Sequence, residues 1–172
     1  LATENLVVQH KAVETASFDV NKRILTLPIW KGLTNTIYDL LVGHEVGHAL
    51  FTPNVDMHTL GVPQGYLNIT EDVRIEKLMK RKFPGFRKTF YEGYKQLNQQ
   101  DFFSVWDKDL EDFSMADRVN LYFKVGNYVD IPFSVDEQCI VDQIEEVETF
   151  EDAVEAARVL WNYRKEHEAS RQ

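Results

Sequence analysis

The chain has 172 residues, of which 44% are hydrophobic, and a net charge of −9. This length and composition predict one globular domain with a substantial core and exclude a disordered chain. The single cysteine, Cys139, excludes an internal disulfide and a multi-cysteine zinc site. Residues 1–100 carry 12 Lys and Arg against 10 Asp and Glu, whereas residues 101–172 carry 7 against 18. This acidic second half argues against nucleic acid or anionic lipid as a partner.

The sequence carries no signal for a membrane or for export. No apolar run approaches the length of a membrane span, and no signal-peptide pattern opens the chain. We therefore expect a cytoplasmic setting, in the producing or the host cell, and no membrane partner. The first residue, Leu1, is compatible with a fragment of a longer protein.

Three short strands are predicted before the first helix. Residues 5–10 form one, and residues 16–20 and 24–30 form two more around a tight turn, which predicts a small antiparallel sheet. Pro28 cannot donate a ladder hydrogen bond, so we place it at a sheet edge or a strand end. An edge strand could pair with an extended peptide substrate, but an ordinary packed hairpin explains the pattern equally well.

Residues 44–48, with the sequence His-Glu-Val-Gly-His, are the strongest chemical signal in the chain. In a helix over residues 35–51, His44 and His48 lie one turn apart on the same face and can share one metal ion. Glu45 is then placed beside a metal-bound water as the general base. Two neutral imidazoles and an adjacent carboxylate are what zinc-assisted hydrolysis requires, so the pattern predicts Zn²⁺ as the cofactor.

The rest of the chain is predicted to be helical, which makes the fold class α+β. The predicted helices cover about residues 65–80, 86–98, 114–128, 134–147 and 149–167. We expect a single domain, in which residues 1–52 contribute the sheet and the metal-binding helix and residues 64–172 the helical part. A basic island over residues 77–88 is either a solvated helix end or a contact surface for an acidic substrate or partner.

A catalytic zinc site needs a third protein ligand, and two carboxylates on the second helix are candidates. Glu71 and Asp72 are adjacent and point about 100° apart, so only one is expected to reach the metal. We favour Glu71, with Asp72 orienting a ligand histidine, and keep Asp72 as the alternative third ligand. His58, in the loop between the two helices, is a further replacement ligand but is more typical of a surface residue.

These residues carry a family resemblance. The 44–48 motif, followed by Asn68, Glu71 and Asp72 on a second helix, resembles the glutamate-type zincin metallopeptidases (gluzincins). Residues 48–52 and 68–76 resemble a narrower group of phage and bacterial metallopeptidases, some of them related to cobaltochelatase-subunit proteins that carry a von Willebrand-type domain. The resemblance covers about residues 16–82. It departs from the thermolysin type, which places Asn directly before the ligand Glu, and this leaves the third ligand open.

The resemblance implies a zincin-like fold and a zinc-dependent metallo-endopeptidase that acts on a peptide or protein. Glu45 would take the proton of the zinc-activated water as it attacks a peptide carbonyl, and would pass it to the leaving amine. The tetrahedral oxyanion would need a donor, for which the sequence offers four unranked candidates: Tyr66, Arg74, Tyr91 and Tyr94. The alternatives are a non-catalytic, zinc-bearing assembly or chaperone-like module, and a metal-dependent hydrolase that acts on something other than peptides.

Overall fold

The computed structural model of the chain describes residues 6–168, which form a small sheet followed by helices. The strands are β1 (Val7–Lys11), β2 (Ser17–Asp19) and β3 (Ile24–Pro28). The helices are α1 (Asn35–Phe51), α2 (Gln64–Lys82), α3 (Phe86–Gln99), α4 (Met115–Val125), α5 (Val135–Glu145) and α6 (Phe150–Tyr163). The α+β class predicted from the sequence is confirmed at this level. Within the described range, no helix is both long enough and apolar enough to cross a bilayer.

The sheet is mixed, which corrects the antiparallel sheet predicted from the sequence. β2 and β3 pair antiparallel across a tight turn, with Phe18 opposite Leu25. β1 pairs with β3 in parallel, with Val7 opposite Ile24. Two strands that are joined by a tight turn, such as β2 and β3, must run antiparallel. β1 is not joined to β3 by such a turn, so its direction relative to β3 follows from packing.

β3 is the central strand, in the order β1-β3-β2, so the predicted edge position of residues 24–30 is wrong. Pro28 instead ends the strand, which satisfies the other expectation for a residue without an amide hydrogen. Leu25 and Leu27 point into the core and are only 3% and 1% exposed. β3 is therefore covered on both sides by other strands and does not offer a free edge to a peptide.

Helix α1 has the bounds predicted for it. The Thr34 hydroxyl accepts a hydrogen bond from the Ile37 amide and caps the helix at its start. At its end, the Thr52 amide donates to the His48 carbonyl, just before Pro53. The start and the end of α1 are thus both determined by residues next to the helix in the sequence.

Two glycines allow close packing around α1. A Cβ on Gly47 would lie 2.9 Å from Ile75 Cδ1 and 2.9 Å from Met79 Cγ, and a Cβ on Gly43 would overlap the Phe86 ring. A glycine inside a helix costs about 1 kcal/mol relative to alanine. Gly43 and Gly47 lie beside the histidines, and the close approach of α2 and α3 to α1 explains why α1 contains both.

The described chain divides into two compact units, and α2 belongs to both. The first unit contains the residues up to Val55 together with Ile75–Leu97, and so holds the sheet, α1, the second half of α2, and α3. The second unit contains Asp56–Arg74 and the chain from Asn98 onward. α2 remains one uninterrupted helix across this division.

The second unit is organised around a buried helical core and a buried ion pair. Ile69 and Val73 of α2 pack against a cluster that includes Val119 and Leu160. The predicted starts of the last three helices are confirmed, since the side chains of Ser114, Ser134 and Thr149 accept backbone hydrogen bonds at the starts of α4, α5 and α6. α4 and α6 end a few residues earlier than predicted, at Val125 and Tyr163, and α6 continues into a wider π turn at Arg164–Glu168.

Glu137 is the centre of the buried ion pair. Its carboxylate accepts from Arg118 Nη1 at 2.9 Å and Nη2 at 2.7 Å, from the Ser134 amide at 2.9 Å, and from the Tyr163 hydroxyl at 2.9 Å. The hydrogen bond from Arg118 is the main reason that the pKa of Glu137 falls from 4.5 to about 2, against the opposing effect of burial. Burial and the contact with Glu137 raise the pKa of Tyr163 to about 12.

This pair predicts an acid-sensitive stability. The lowered pKa means that the Glu137 carboxylate stabilises the fold fully above its unfolded pKa of about 4.5. The contribution, at most about 3 kcal/mol, is lost as the pH falls towards 2. We expect Glu137→Gln to lower the free energy of unfolding at pH 7 by about 2–3 kcal/mol and to remove this part of the pH dependence. Urea unfolding between pH 2.5 and 7 measures both effects.

The matched control is Glu155→Gln. Glu155 pairs with Arg158 at 2.6 Å, but the two side chains are 60% and 39% exposed. Exposed pairs contribute about 0–1 kcal/mol, so this variant should follow the parent at every pH. Equal pH profiles for the parent and the Glu137 variant would contradict the assignment.

Candidate metal centre

Helix α1 brings His44 and His48 together as predicted. Their ring centroids are 4.9 Å apart and the ring planes are nearly perpendicular, at 75°. This is the geometry that residues four apart on one helix face can adopt towards a shared ion. The two imidazoles therefore form one potential ligand pair.

Each of these imidazoles has a polar partner at its Nδ1 atom. His48 Nδ1 lies 2.9 Å from Thr52 Oγ1, and His44 Nδ1 lies 3.7 Å from Glu76 Oε1. Glu76 is held in turn by the Tyr94 hydroxyl, which donates to Oε1 at 2.6 Å. The hydrogen bond between His48 and Thr52 is of the kind that orients a ligand histidine, and it favours Nε2 of His48 as the atom that binds the metal.

Asp72 completes a group of three metal-ligating side chains. One ligand atom from each of His44, His48 and Asp72 lies within 4.8 Å of the others. Asp72 is the carboxylate that the sequence analysis kept as the alternative third ligand, and Glu71 does not belong to this group.

Glu71, ranked first from the sequence as the third ligand, is engaged elsewhere. Its Oε1 accepts from Arg74 Nε, and its Oε2 accepts from Arg74 Nη2 at 3.0 Å. Both residues are buried, with Glu71 3% and Arg74 5% exposed. Adjacent helix residues point about 100° apart, so Glu71 and Asp72 are directed differently, and the choice between them as third ligand stays a prediction.

Glu45, the predicted base, is buried on α1 next to His44. Successive residues of a helix point about 100° apart, so Glu45 is directed to one side of the histidine pair and not between the two rings. This direction suits a base that acts beside a metal. The assignment of Glu45 as the base remains a prediction.

The other predicted residues lie apart from the group of three. His58 is in a short 3₁₀ helix of the second unit (Met57–Thr59), where the backbone amide of His58 donates to Asp56. Tyr66 packs against Trp161, and burial raises its pKa. Tyr91 is 48% exposed. Among the four oxyanion candidates, Tyr94 donates to Glu76, whose carboxylate lies 3.7 Å from His44 Nδ1.

The sequence interpretation missed three residues at this site. Glu76 lies four residues after Asp72, and Thr52 lies four residues after His48. Each is therefore one helical turn from a candidate ligand, and this spacing could have indicated both residues from the sequence. Lys124 is the third: its Nζ donates to Asp72 Oδ2 at 3.2 Å. Since 52 positions separate Lys124 from Asp72, no local pattern predicts that contact.

The basic island over residues 77–88 begins in the last turns of α2, where cations suit the helix dipole. Its ammonium groups also lie over aromatic rings: Lys80 over Phe90 at 5.6 Å, and Lys82 over Phe83 at 5.8 Å. These contacts give the island a structural role at the α2–α3 connection. The alternative of a contact surface for an acidic partner stays a prediction.

Compared with family models, curated proteins and solved structures, the chain has no match. The function is therefore argued from the site itself.

Proposed function

We propose that the protein is a zinc-dependent metallopeptidase that hydrolyses peptide bonds, with Glu45 as the general base. The observation that carries the proposal is the group formed by His44, His48 and Asp72, whose ligand atoms lie within 4.8 Å of one another. The gluzincin-like motif at residues 44–48 and the α+β arrangement of a small sheet followed by helices support a zincin-like fold.

The residues present fit zinc. Two imidazoles and one carboxylate are a ligand set typical of catalytic zinc, and they leave a further position for water or substrate. A zinc ion held by His44, His48 and Asp72 would act as a Lewis acid, lowering the pKa of water and polarising a carbonyl. Calcium and magnesium prefer all-oxygen sites, so the two histidines argue against them.

Side chains other than the three proposed ligands supply the proton transfer and the orientation of a histidine. Glu45 accepts the proton of the attacking water and returns it to the leaving amine. The contact with Thr52 orients the ring of His48, and the Glu76 carboxylate, held by the Tyr94 hydroxyl, lies 3.7 Å from His44 Nδ1.

A peptide substrate is favoured over other hydrolysable groups by the pairing of Glu45 with the two histidines. A carboxylate base beside a histidine-bound zinc must both activate water and protonate a poor leaving group, and an amide nitrogen is such a group. An ester or phosphate leaving group makes a smaller demand for protonation. The substrate we propose is therefore a peptide or a protein segment.

The direct test is a peptide-library digestion with zinc-loaded protein. We expect cleavage products that disappear after treatment with a zinc chelator and return when zinc is added back. Protein that binds one zinc ion per chain but cleaves no peptide would contradict the proposal. That result would favour the non-catalytic zinc-bearing module or a hydrolase acting on another substrate class.

A further inference from the structure

A cavity of about 570 Å³ lies in the first unit, between α1 and the α2–α3 connection. Binding sites for ligands and side chains are concave, have mostly apolar walls, and measure about 300–1,000 Å³. The apolar walls of this cavity come from four residues: Val42, Phe83, Pro84 and Phe86. All four belong to the first unit, so the cavity is a candidate binding site within one compact unit.

The position of Phe86 is fixed by close packing. A Cβ on Gly43 would overlap the Phe86 ring, so the ring lies directly against the backbone of α1. The centroid of this ring is 6.3 Å from that of Phe83 and 5.6 Å from that of Phe90. Aromatic pairs at these distances stabilise one another. This wall of the cavity is therefore preformed, and an occupant does not have to order it on binding.

The basic island adjoins this cavity. Lys82 lines it, and the ammonium of Lys82 lies 5.9 Å from the ring centroid of Phe51 and 5.8 Å from that of Phe83. Three more exposed cations are next to lining residues in the chain: Arg81, Arg87 and Lys88. The island over residues 77–88 contains no acidic residue. An apolar group that carries negative charge beside it is complementary to these surroundings.

Asp39 is the exception to this positive charge. It lines the cavity from α1 and is exposed, so its carboxylate repels an anionic occupant. A single charge at an exposed position has a small effect. Asp39 therefore weakens the binding of an acidic partner but does not reverse the preference set by the cations.

The cavity is on a different side of α1 from the candidate metal centre. Val42, which lines the cavity, and His44 are two residues apart in the helix. Their side chains therefore point about 200° apart around the helix axis, which is close to opposite directions. An occupant of the cavity is thus bound apart from the histidines.

We propose that the cavity and the basic island form a docking site for an acidic segment of another protein. One aromatic or aliphatic side chain of the segment enters the cavity, and the carboxylates beside it contact the cations. The exposed cations belong to both the end of α2 and the start of α3, so an extended peptide reaches more of them than a compact ligand does. The inference goes beyond the proposed hydrolysis and does not depend on it.

Three dye-labelled synthetic peptides test the proposal on the full chain by fluorescence anisotropy. The first has a central phenylalanine flanked by glutamates, the second has alanine in place of the phenylalanine, and the third has lysines in place of the glutamates. We expect the first to bind, the second to bind at least about tenfold more weakly because it buries no phenyl ring, and the third not to bind. Added salt should weaken the binding of the first peptide, and a zinc chelator should leave it unchanged.

Gly85→Leu tests the cavity itself. Gly85 lines the cavity, and a Cβ added there meets nothing within 4 Å, so a larger side chain can occupy cavity space without a clash. We expect the affinity for the first peptide to fall at least about tenfold, because the phenyl ring is excluded. The matched control is Gly65→Leu, at an exposed glycine outside the cavity where an added Cβ also meets nothing within 4 Å. The control should keep the parent affinity.

Two further substitutions change the charge of the cavity in opposite directions. We expect Lys82→Met to weaken the binding of the first peptide about threefold and Asp39→Asn to strengthen it by a similar factor. Lys95→Met, which removes an exposed cation of α3 outside the island, should keep the parent affinity. Residues that acted only on stability would not change the affinity in opposite directions.

Equal affinities for the glutamate-flanked and lysine-flanked peptides would overturn the proposal, and this comparison does not depend on the folding of any variant. An unchanged affinity in Gly85→Leu would overturn it too. Loss of binding on removal of zinc would place the peptide at the metal centre instead.

Two other occupants would also overturn the docking of an acidic segment. Binding of a small aromatic carboxylate, but of no peptide, would assign the cavity to a small ligand. Self-association of the chain that Gly85→Leu removes would assign it to a second copy. Each of these results leaves the proposed hydrolysis untouched, and a chain that cleaves no peptide leaves the docking site untouched.

Discussion

The Glu45→Gln variant is expected to bind zinc as tightly as the parent protein and to hydrolyse peptides about 10³-fold more slowly. Glutamine keeps the size and shape of the side chain, but an amide replaces the carboxylate and cannot accept the proton of the attacking water. The histidines and Asp72 are untouched, so the metal should remain bound. Zinc content by elemental analysis and initial rates on a cleaved library peptide measure the two properties separately.

The control for this variant is Glu146→Gln, which removes the same charge at an exposed position. It should retain the parent rate and the parent zinc content. If the Glu45 variant kept a rate within a few-fold of the parent, another group would have to be the base. If the variant lost both rate and zinc, Glu45 would be a part of the metal site and not a base beside it.

The second large effect separates Asp72 from Glu71. Asp72→Asn should lower zinc affinity by more than about 100-fold, because losing a ligand costs more than losing a partner that orients one. Glu71→Gln should leave zinc affinity close to that of the parent but lower the free energy of unfolding by about 3 kcal/mol, since it removes the charge that compensates buried Arg74. Zinc competition titrations and urea unfolding of the two metal-free variants measure both effects.

The opposite pattern would restore the assignment favoured from the sequence. A Glu71 variant that no longer binds zinc, beside an Asp72 variant that still does, would make Glu71 the ligand. Asp72→Asn also removes the charge opposite Lys124, so its zinc affinity is compared only under conditions where circular dichroism shows a folded variant. Anomalous diffraction at the zinc edge identifies the ligand atoms independently.

The parts of the fold that the sequence predicts are those specified by neighbouring residues. α1, its cap at Thr34 and the approach of His44 to His48 all follow from spacings of three or four residues, which a helix converts directly into proximity. The caps of the later helices are local in the same way. The coarse α+β class follows because strand-like and helix-like patterns occupy separate parts of the chain.

The parts that the sequence does not predict depend on distant partners. The parallel pairing of β1 joins residues 17 positions apart, such as Val7 and Ile24, and no turn signal encodes it. The grouping of Asp72, and not Glu71, with the two histidines is a second case. The apolar residues of α2 cover a broad face, so the sequence does not single out one direction for either carboxylate.

The uninterrupted course of α2 means that neither compact unit corresponds to a contiguous piece of the chain. A fragment ending at Leu97 would retain every element of the first unit. In this fragment, the first half of α2 would lose the core cluster against which Ile69 and Val73 pack. It would also lose the Ala153 carbonyl, which accepts a hydrogen bond from the Thr70 hydroxyl at 2.7 Å. Helical segments without tertiary support are marginal in water. The part of α2 that would fray is the part that carries Asp72, so the minimal folding unit for the metal centre is longer than the segment that contains its motif.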